Sequence, residues 1–252
     1  MGQSLPNTGP LLAKLRDRAD TLEAMVGLLH HYGLLPKLIR ELLIDDAIAP
    51  ITPTPDEIFQ ASQQFYQKNK LQSEAELQTW LAQQGLTREQ LEPLITRDVR
   101  IEKYKRETWE HKLEHYFLQR KSQLDRAVYS LLRVKEIGIA QELYFRIQEG
   151  EATFDELARQ HSQGVEAETG GLLGPVELGV PHPAIAKILA TSQPGQLAPP
   201  VRLSEWVVIV RLEKFLPAQL DGPTQQRLLN ELFETWLQTE TAALMGATAK
   251  PE

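Results

Sequence analysis

Few residues in this sequence stand at spacings suited to covalent chemistry. His111 and His115 lie four apart, with Glu114 between them, which on a helix puts both imidazoles on one face. The order His-Lys-Leu-Glu-His is not that of a metalloprotease, and no third ligand is evident, so no metal and no cofactor is expected. The adjacent pair His30 and His31 offers no better set. Ser130, Ser162 and Ser204 have neither a glycine elbow nor a matched base, so a serine hydrolase is not supported. Gly170-Gly171 has no lysine or helix start fit to hold a phosphate. The chain contains no cysteine, which removes thiolate ligands, disulfides and cysteine nucleophiles together. What remains is non-covalent chemistry, carried by apolar surface and by glycine and proline turns.

The totals narrow the classes further. At 252 residues the chain is long enough for one large core or two modest ones. Its 42% apolar and 24% charged residues are ordinary for a globular protein. A net charge of −7 disfavours a general nucleic-acid role. Met1 to Pro10 show no basic segment followed by an apolar one, so no signal peptide is expected. Pro6 makes Gly2-Gln3-Ser4 a poor start for myristoylation. No stretch approaches ~20 continuous apolar residues, so no membrane span is expected. The expected compartment is the cytoplasm.

The elements that must position these groups change in character along the chain. Residues 1 to 9 read as a loose tail. Leu11, Leu12, Leu15, Leu22, Met25, Val26 and Leu29 recur at helical spacing, predicting one helix over 11–32. Leu38, Ile39, Leu42, Leu43 and Ala47 predict the inward face of a second helix over 34–48. Thr54-Pro55-Asp56-Glu57, Ser73-Glu74-Ala75-Glu76 and Thr87-Arg88-Glu89-Gln90 are three capping boxes, so a multi-helix region follows. The third helix is predicted to run from Thr87 towards Arg120. Its row of Arg97, Arg100, Lys103 and Arg106, alternating with Asp98, Glu102, Glu107 and Glu110, reads as a solvated face.

From Ala127 the period becomes that of a strand, with Val128, Ser130, Leu132 and Val134 on one side and Tyr129, Leu131 and Arg133 on the other. A helix over 136–148 stops at Gly150, and Thr153 caps another, whose last residue His161 suits its C-terminal end. A short strand at Leu172-Leu173, a helix over 183–190 and strands over 197–203 and 205–215 complete this part. The second strand of that last pair is nearly all apolar and predicts a central position. Residues 224–244 return to helix, with Leu228, Leu229, Leu232, Phe233, Trp236 and Leu237 in a stripe that must pack back on the N-terminal helices.

The order of these elements, with Gly170-Gly171-Leu172-Leu173-Gly174 and Pro194-Gly195-Gln196-Leu197-Ala198-Pro199-Pro200-Val201, resembles a parvulin, the small peptidyl-prolyl isomerase domain. The resemblance covers about ninety residues. The helical part, with Ile51-Thr-Pro-Thr-Pro-Asp-Glu-Ile58 and Leu81-Ala-Gln-Gln-Gly-Leu-Thr-Arg-Glu-Gln-Leu91, is similar to the N-terminal domain of SurA-like chaperones. Together they imply an α+β chain. A SurA-like all-helical domain over 11–122 is completed by the C-terminal helix 222–245. A parvulin-like domain over 125–216, with a small antiparallel sheet, is inserted into it.

Rotation about an X–Pro bond faces a barrier of roughly 18–20 kcal/mol, and lowering it needs an apolar cup for the ring and polar groups beside it. In parvulins two strand histidines and an Asp or Cys supply the polar end, and a Met and two Phe supply the cup. Carried over by position, the histidines fall on Ser130 and Val208 and the Asp or Cys falls near Gly164. The aspartate after the double glycine falls on Leu172, and the cup falls on about Pro181, Ile185 and Ala190. The resemblance therefore implies Ser130 as the catalytic candidate. It implies Leu131, Leu172, His182, Ile185, Leu189, Ala190 and Val208 as substrate-binding candidates. With the family histidines absent, the expected function is a foldase-type chaperone of weak or lost isomerase activity. It would bind unfolded or extended polypeptide clients, proline-containing ones among them. The alternatives are an active peptidyl-prolyl isomerase and an adaptor for one fixed protein partner.

Overall fold

The computed structural model describes residues 9–248; the expected tail lies outside them apart from Gly9. The chain divides into two compact units, one made of Met1–His111 with Gln226–Glu252 and the other of Lys112–Gln225. No described helix is long and apolar enough to cross a membrane.

The first unit is helical: α1 (Gly9–Arg16), α2 (Leu22–His31), α3 (Leu35–Ile48), α4 (Pro55–Lys68), α5 (Glu74–Gln84) and α6 (Leu91–Trp109). The single helix expected over 11–32 is two. Thr21 adopts an extended backbone and its hydroxyl accepts the Ala24 N–H at 3.1 Å, which starts a new helix where the apolar spacing alone ran on. The boxes at Thr54 and Ser73 open α4 and α5 with both reciprocal bonds made. Thr87 opens a short 3-10 turn, not the long helix. That helix ends at Trp109, and a second 3-10 turn, Glu110–Lys112, leads into α7 (Leu113–Leu124). The inward face of α3 is Leu35, Ile39, Ile44 and Ile48; Leu38 and Leu42 point to solvent instead.

Three cations of the basic row of α6 are engaged, while Arg106, with Asp98, Glu107 and Glu110, is exposed as expected. Arg97 donates to Glu41 and Asp45, and Arg100 donates to the carbonyls of Ile48 and Ile51. Lys103 donates to the Thr52 carbonyl and to Glu57. The last carbonyls of α3 have no partner within their own helix and carry partial negative charge, so cations from a neighbouring helix satisfy them. The last helix, α11 (Gly222–Thr248), belongs to this unit from Gln226 on. Its Phe233 and Trp236 meet Tyr104 and Trp109 of α6, and its Asn230 accepts from the buried Lys105 at 2.7 Å.

The second unit is built on four strands: β1 (Arg126–Val134), β2 (Leu172–Glu177), β3 (Leu197–Leu203) and β4 (Trp206–Leu216). The order is β2-β1-β4-β3, every pair antiparallel, so β1 and the apolar β4 are the interior strands. Three helices cover the sheet: α8 (Ile137–Gln148), α9 (Phe154–His161) and α10 (Pro183–Thr191). One face carries Ala127, Tyr129, Leu131, Val208, Val210 and Leu212 against Ile185 and Leu189 of α10. The other carries Leu132, Val134, Val207 and Ile209 against α8 and α9. Both faces of the central strands are thus buried, and each such side chain contributes about 1.5–3 kcal/mol by leaving water. The double glycine is a matter of space. Gly171 has φ +85°, and a Cβ there would meet the Leu131 carbonyl oxygen at 2.7 Å.

Candidate functional site

Side chains alternate across a strand, and this separates the residues that the sequence grouped into one site. Leu131 and Val208 lie on the α10 face. Ser130, the residue between Tyr129 and Leu131, points to the other face. Its hydroxyl donates to Glu213, whose carboxylate also accepts from Arg211 at 2.8 Å. The Arg211 guanidinium stands 5.2 Å from the ring of Phe154, a residue of the α8–α9 face. Ser130 is buried there, with its hydrogen engaged.

The substrate-binding candidates divide by depth. Leu131, Ile185, Leu189 and Val208 are core residues packed on one another, and Leu189 is wholly enclosed. They form the floor under this face, not a surface open to a ligand. Leu172, His182 and Ala190 are exposed. His182 is the N-cap of α10: its Nδ1 accepts the Ala184 N–H at 3.2 Å, which places the ring proton on Nε2. His161 closes α9, but Ser162 takes the capping position. The half-buried apolar rim consists of Ile188 on α10, Val201 and Leu203 on β3, and Trp206 at the start of β4.

Beside this rim lies a polar network absent from the sequence reading. Glu166, in a 3-10 turn over Val165–Thr169, is 1% exposed. Arg133 grips its carboxylate with two donors, and the Ser162 hydroxyl donates to it at 2.6 Å. Burial pushes the Glu166 carboxyl up, but the Arg133 guanidinium and Ser162 hydroxyl outweigh it and hold the group below the usual carboxylate range. Burial, reinforced by the charge of Glu166 and opposed by that of Arg133, pushes the Tyr129 phenol up. Tyr129 therefore stays a protonated donor through neutral pH. The Trp206 ring has Arg133 at 5.9 Å and Lys135 at 5.5 Å. Alternation along β1 places Tyr129 and Arg133 with Leu131, so their share of this site was legible in the strand pattern. Glu166 was not: a loop carboxylate gives no periodic signal, and only folding brings it to β1.

Among the described residues no group of three or more His, Asp or Glu gathers as a metal site. His115 bonds Gln119, and a 3-10 turn interrupts the helix between His111 and His115. The arrangement suits non-covalent work: an apolar rim with a fixed cation beside it, over a floor that includes the buried Tyr129.

Residues 133–214 match the family model described as Rotamase: PPIC-type PPIASE domain. The inserted unit is a parvulin-type domain. A chaperone SurA of Colwellia psychrerythraea is 38% identical to this chain over 79 residues, covering 31% of the chain and 18% of that protein. The chaperone SurA of Cupriavidus pinatubonensis is 26% identical over 223 residues, covering 75% of the chain and 44% of its own length. The chain thus spans less than half of either relative. The crystal structure of a peptidylprolyl isomerase (PrsA) from Bacillus cereus superposes with a TM-score of 0.51 at 19% identity. It covers 90% of this chain and 86% of that one, a likeness of fold. The likeness of fold to that PrsA structure extends over both units of the chain.

Proposed function

We propose that this chain is a foldase-type chaperone that binds extended polypeptide segments at the apolar rim of its parvulin-type domain, with little or no isomerase turnover. One observation carries the reading. Ser130, at the position of the family's first-strand histidine, faces away from the rim and gives its hydrogen to Glu213. A group so placed cannot reach an amide seated beside Trp206. Ile188, Val201, Leu203 and Trp206 offer apolar contact, an ordinary way to dock an extended peptide. Proline-containing segments are proposed among the clients, and the cytoplasm is the proposed compartment.

A second reading, an active isomerase without the histidine pair, is favoured by the protonated Tyr129 phenol beside Arg133 on the same face. Exchange spectroscopy on short X–Pro peptides separates the two. Peptide-induced shifts that Trp206→Ala abolishes, with exchange rates unchanged, are expected. Acceleration that Tyr129→Phe removes would replace the binding reading with catalysis. Neither shifts nor acceleration would move the function off this face, to an adaptor for one fixed partner.

A further inference from the structure

Arg133 is fixed at every polar point but one. Its backbone N–H donates to the Ser162 hydroxyl and its carbonyl accepts from the Gln163 N–H, each at 3.0 Å. Its Nε and Nη2 donate to the two carboxylate oxygens of the buried Glu166. The fit is close at Gly164, where a Cβ would lie 2.2 Å from Nε and 2.3 Å from the Glu166 carboxylate. A side chain there would push the pair apart, so the glycine keeps the guanidinium in one orientation. The remaining nitrogen, Nη1, makes no hydrogen bond among the described residues and is not enclosed. The side chain keeps 31% of its surface open. A guanidinium gripped along one edge and open along another is a donor oriented in advance.

The free charge beside it is Lys135. Both cations stand against the Trp206 ring, Arg133 at 5.9 Å and Lys135 at 5.5 Å. Glu166 balances Arg133. The uncompensated charge is therefore that of Lys135, which is exposed and has no ion-pair partner among the described residues. The carboxylates next to the site in sequence, Glu136 and Glu205, are exposed and pair with neither cation. On a chain of net charge −7, one directed donor and one free ammonium thus flank an aromatic ring at the apolar rim. The group that satisfies all three is a carboxylate carried by an apolar segment. Its oxygens accept from Nη1 and meet the charge of Lys135, while its neighbours lie on Trp206, Val201 and Leu203. A main-chain or amide carbonyl uses the donor and leaves the ammonium unanswered.

We propose that the clients of this domain carry an acidic side chain beside the residue seated on Trp206, selected by Arg133 Nη1 and Lys135 Nζ. This preference presupposes the rim as the peptide site proposed for this domain, and one titration separates the two. Two capped peptides of one apolar sequence, differing only in a central Glu or Gln, are added to the full chain and followed at Ile188, Val201 and Leu203. Shifts from the Gln peptide establish the rim as a site by themselves. The Glu peptide is expected to bind about fivefold tighter, the scale of an ion pair partly open to water. The gap should narrow as salt rises. Lys135→Met should narrow it without weakening the Gln peptide, and Lys135→Glu should reverse it. Equal affinities of the two peptides for the native chain, with shifts present, overturn the acidic preference and leave the site standing. So does a preference that Lys135→Met and salt both leave intact. Absence of shifts with either peptide removes the site itself, and the preference with it.

Discussion

Asp125 Oδ1 accepts the backbone N–H of Ala218 at 2.7 Å, across 93 residues of chain. Asp125 precedes β1 and Ala218 follows β4, so one carboxylate joins the two ends of the parvulin-type domain. Lys121 holds the same oxygen at 2.7 Å, and the main-chain carbonyl of Asp125 accepts from Leu178 at 2.8 Å. The domain's ends are thus closed by directed bonds as well as by apolar packing.

Asp125→Ala is expected to leave the Ala218 N–H unpaired and to destabilise this domain by about 1–3 kcal/mol. Hydrogen exchange at the Ala218 amide should quicken, while Asp125→Asn, which keeps an acceptor, should retain most of the protection. Unchanged exchange in the alanine variant would show that the bond contributes nothing to closure.

The Glu166 network gives the domain a dependence on pH. The folded-state carboxyl lies below its unfolded value, so its stabilisation is complete above the ordinary carboxylate range and is lost as pH falls through the depressed folded value. Urea midpoints of the full chain are expected to decline on acidification, and Glu166→Gln should flatten that decline. At neutral pH the same variant strips Arg133 of its charge partner, a loss that water at the 31%-exposed guanidinium partly offsets. An acid slope identical in the two proteins would remove Glu166 from this role.

Ser130→Ala tests the separation of the two sheet faces. The change removes one donor from Glu213 and leaves Arg211 in place, a loss of about 1 kcal/mol in stability. Peptide-induced shifts at Ile188, Val201 and Leu203 should persist in Ser130→Ala and disappear in Trp206→Ala. Loss of binding in the serine variant, with the fold intact, would place Ser130 back in the site.

Arg100→Met tests the cation row of α6. Its guanidinium serves the carbonyls of Ile48 and Ile51, and hydrogen bonds from a charged donor contribute about 1.5–3 kcal/mol. Thermal unfolding should shift down in Arg100→Met and remain unaltered in Arg106→Met. Equal shifts in the two variants would return this row to the status of a solvated surface.

Local chemistry was legible wherever a few neighbouring residues settle it. Thr54, Ser73 and Thr153 announced helix starts because each cap is completed within three residues. Apolar period two announced β1, and the unbroken apolar run of β4 announced an interior strand buried on both faces. The same alternation already separated Ser130 from Leu131, although a position-by-position family match had joined them in one site. The break at Thr21 was less legible, because a hydroxyl cap there overrode an apolar spacing that continued across it.

The sequence by itself determined the element types, the turns at Gly170-Gly171 and Pro194-Gly195, and the absence of any thiol chemistry, since each depends on residues close together in the chain. Only the tertiary structure decided that Arg133 closes on Glu166, that Arg100 serves the end of α3, and that Leu38 and Leu42 stay outside while Ile39 and Ile44 go in. The physical reason is range. A cap or a strand period is set by the covalent neighbourhood, whereas a buried charge or an exposed leucine is set by whatever distant segment arrives, or fails to arrive, beside it.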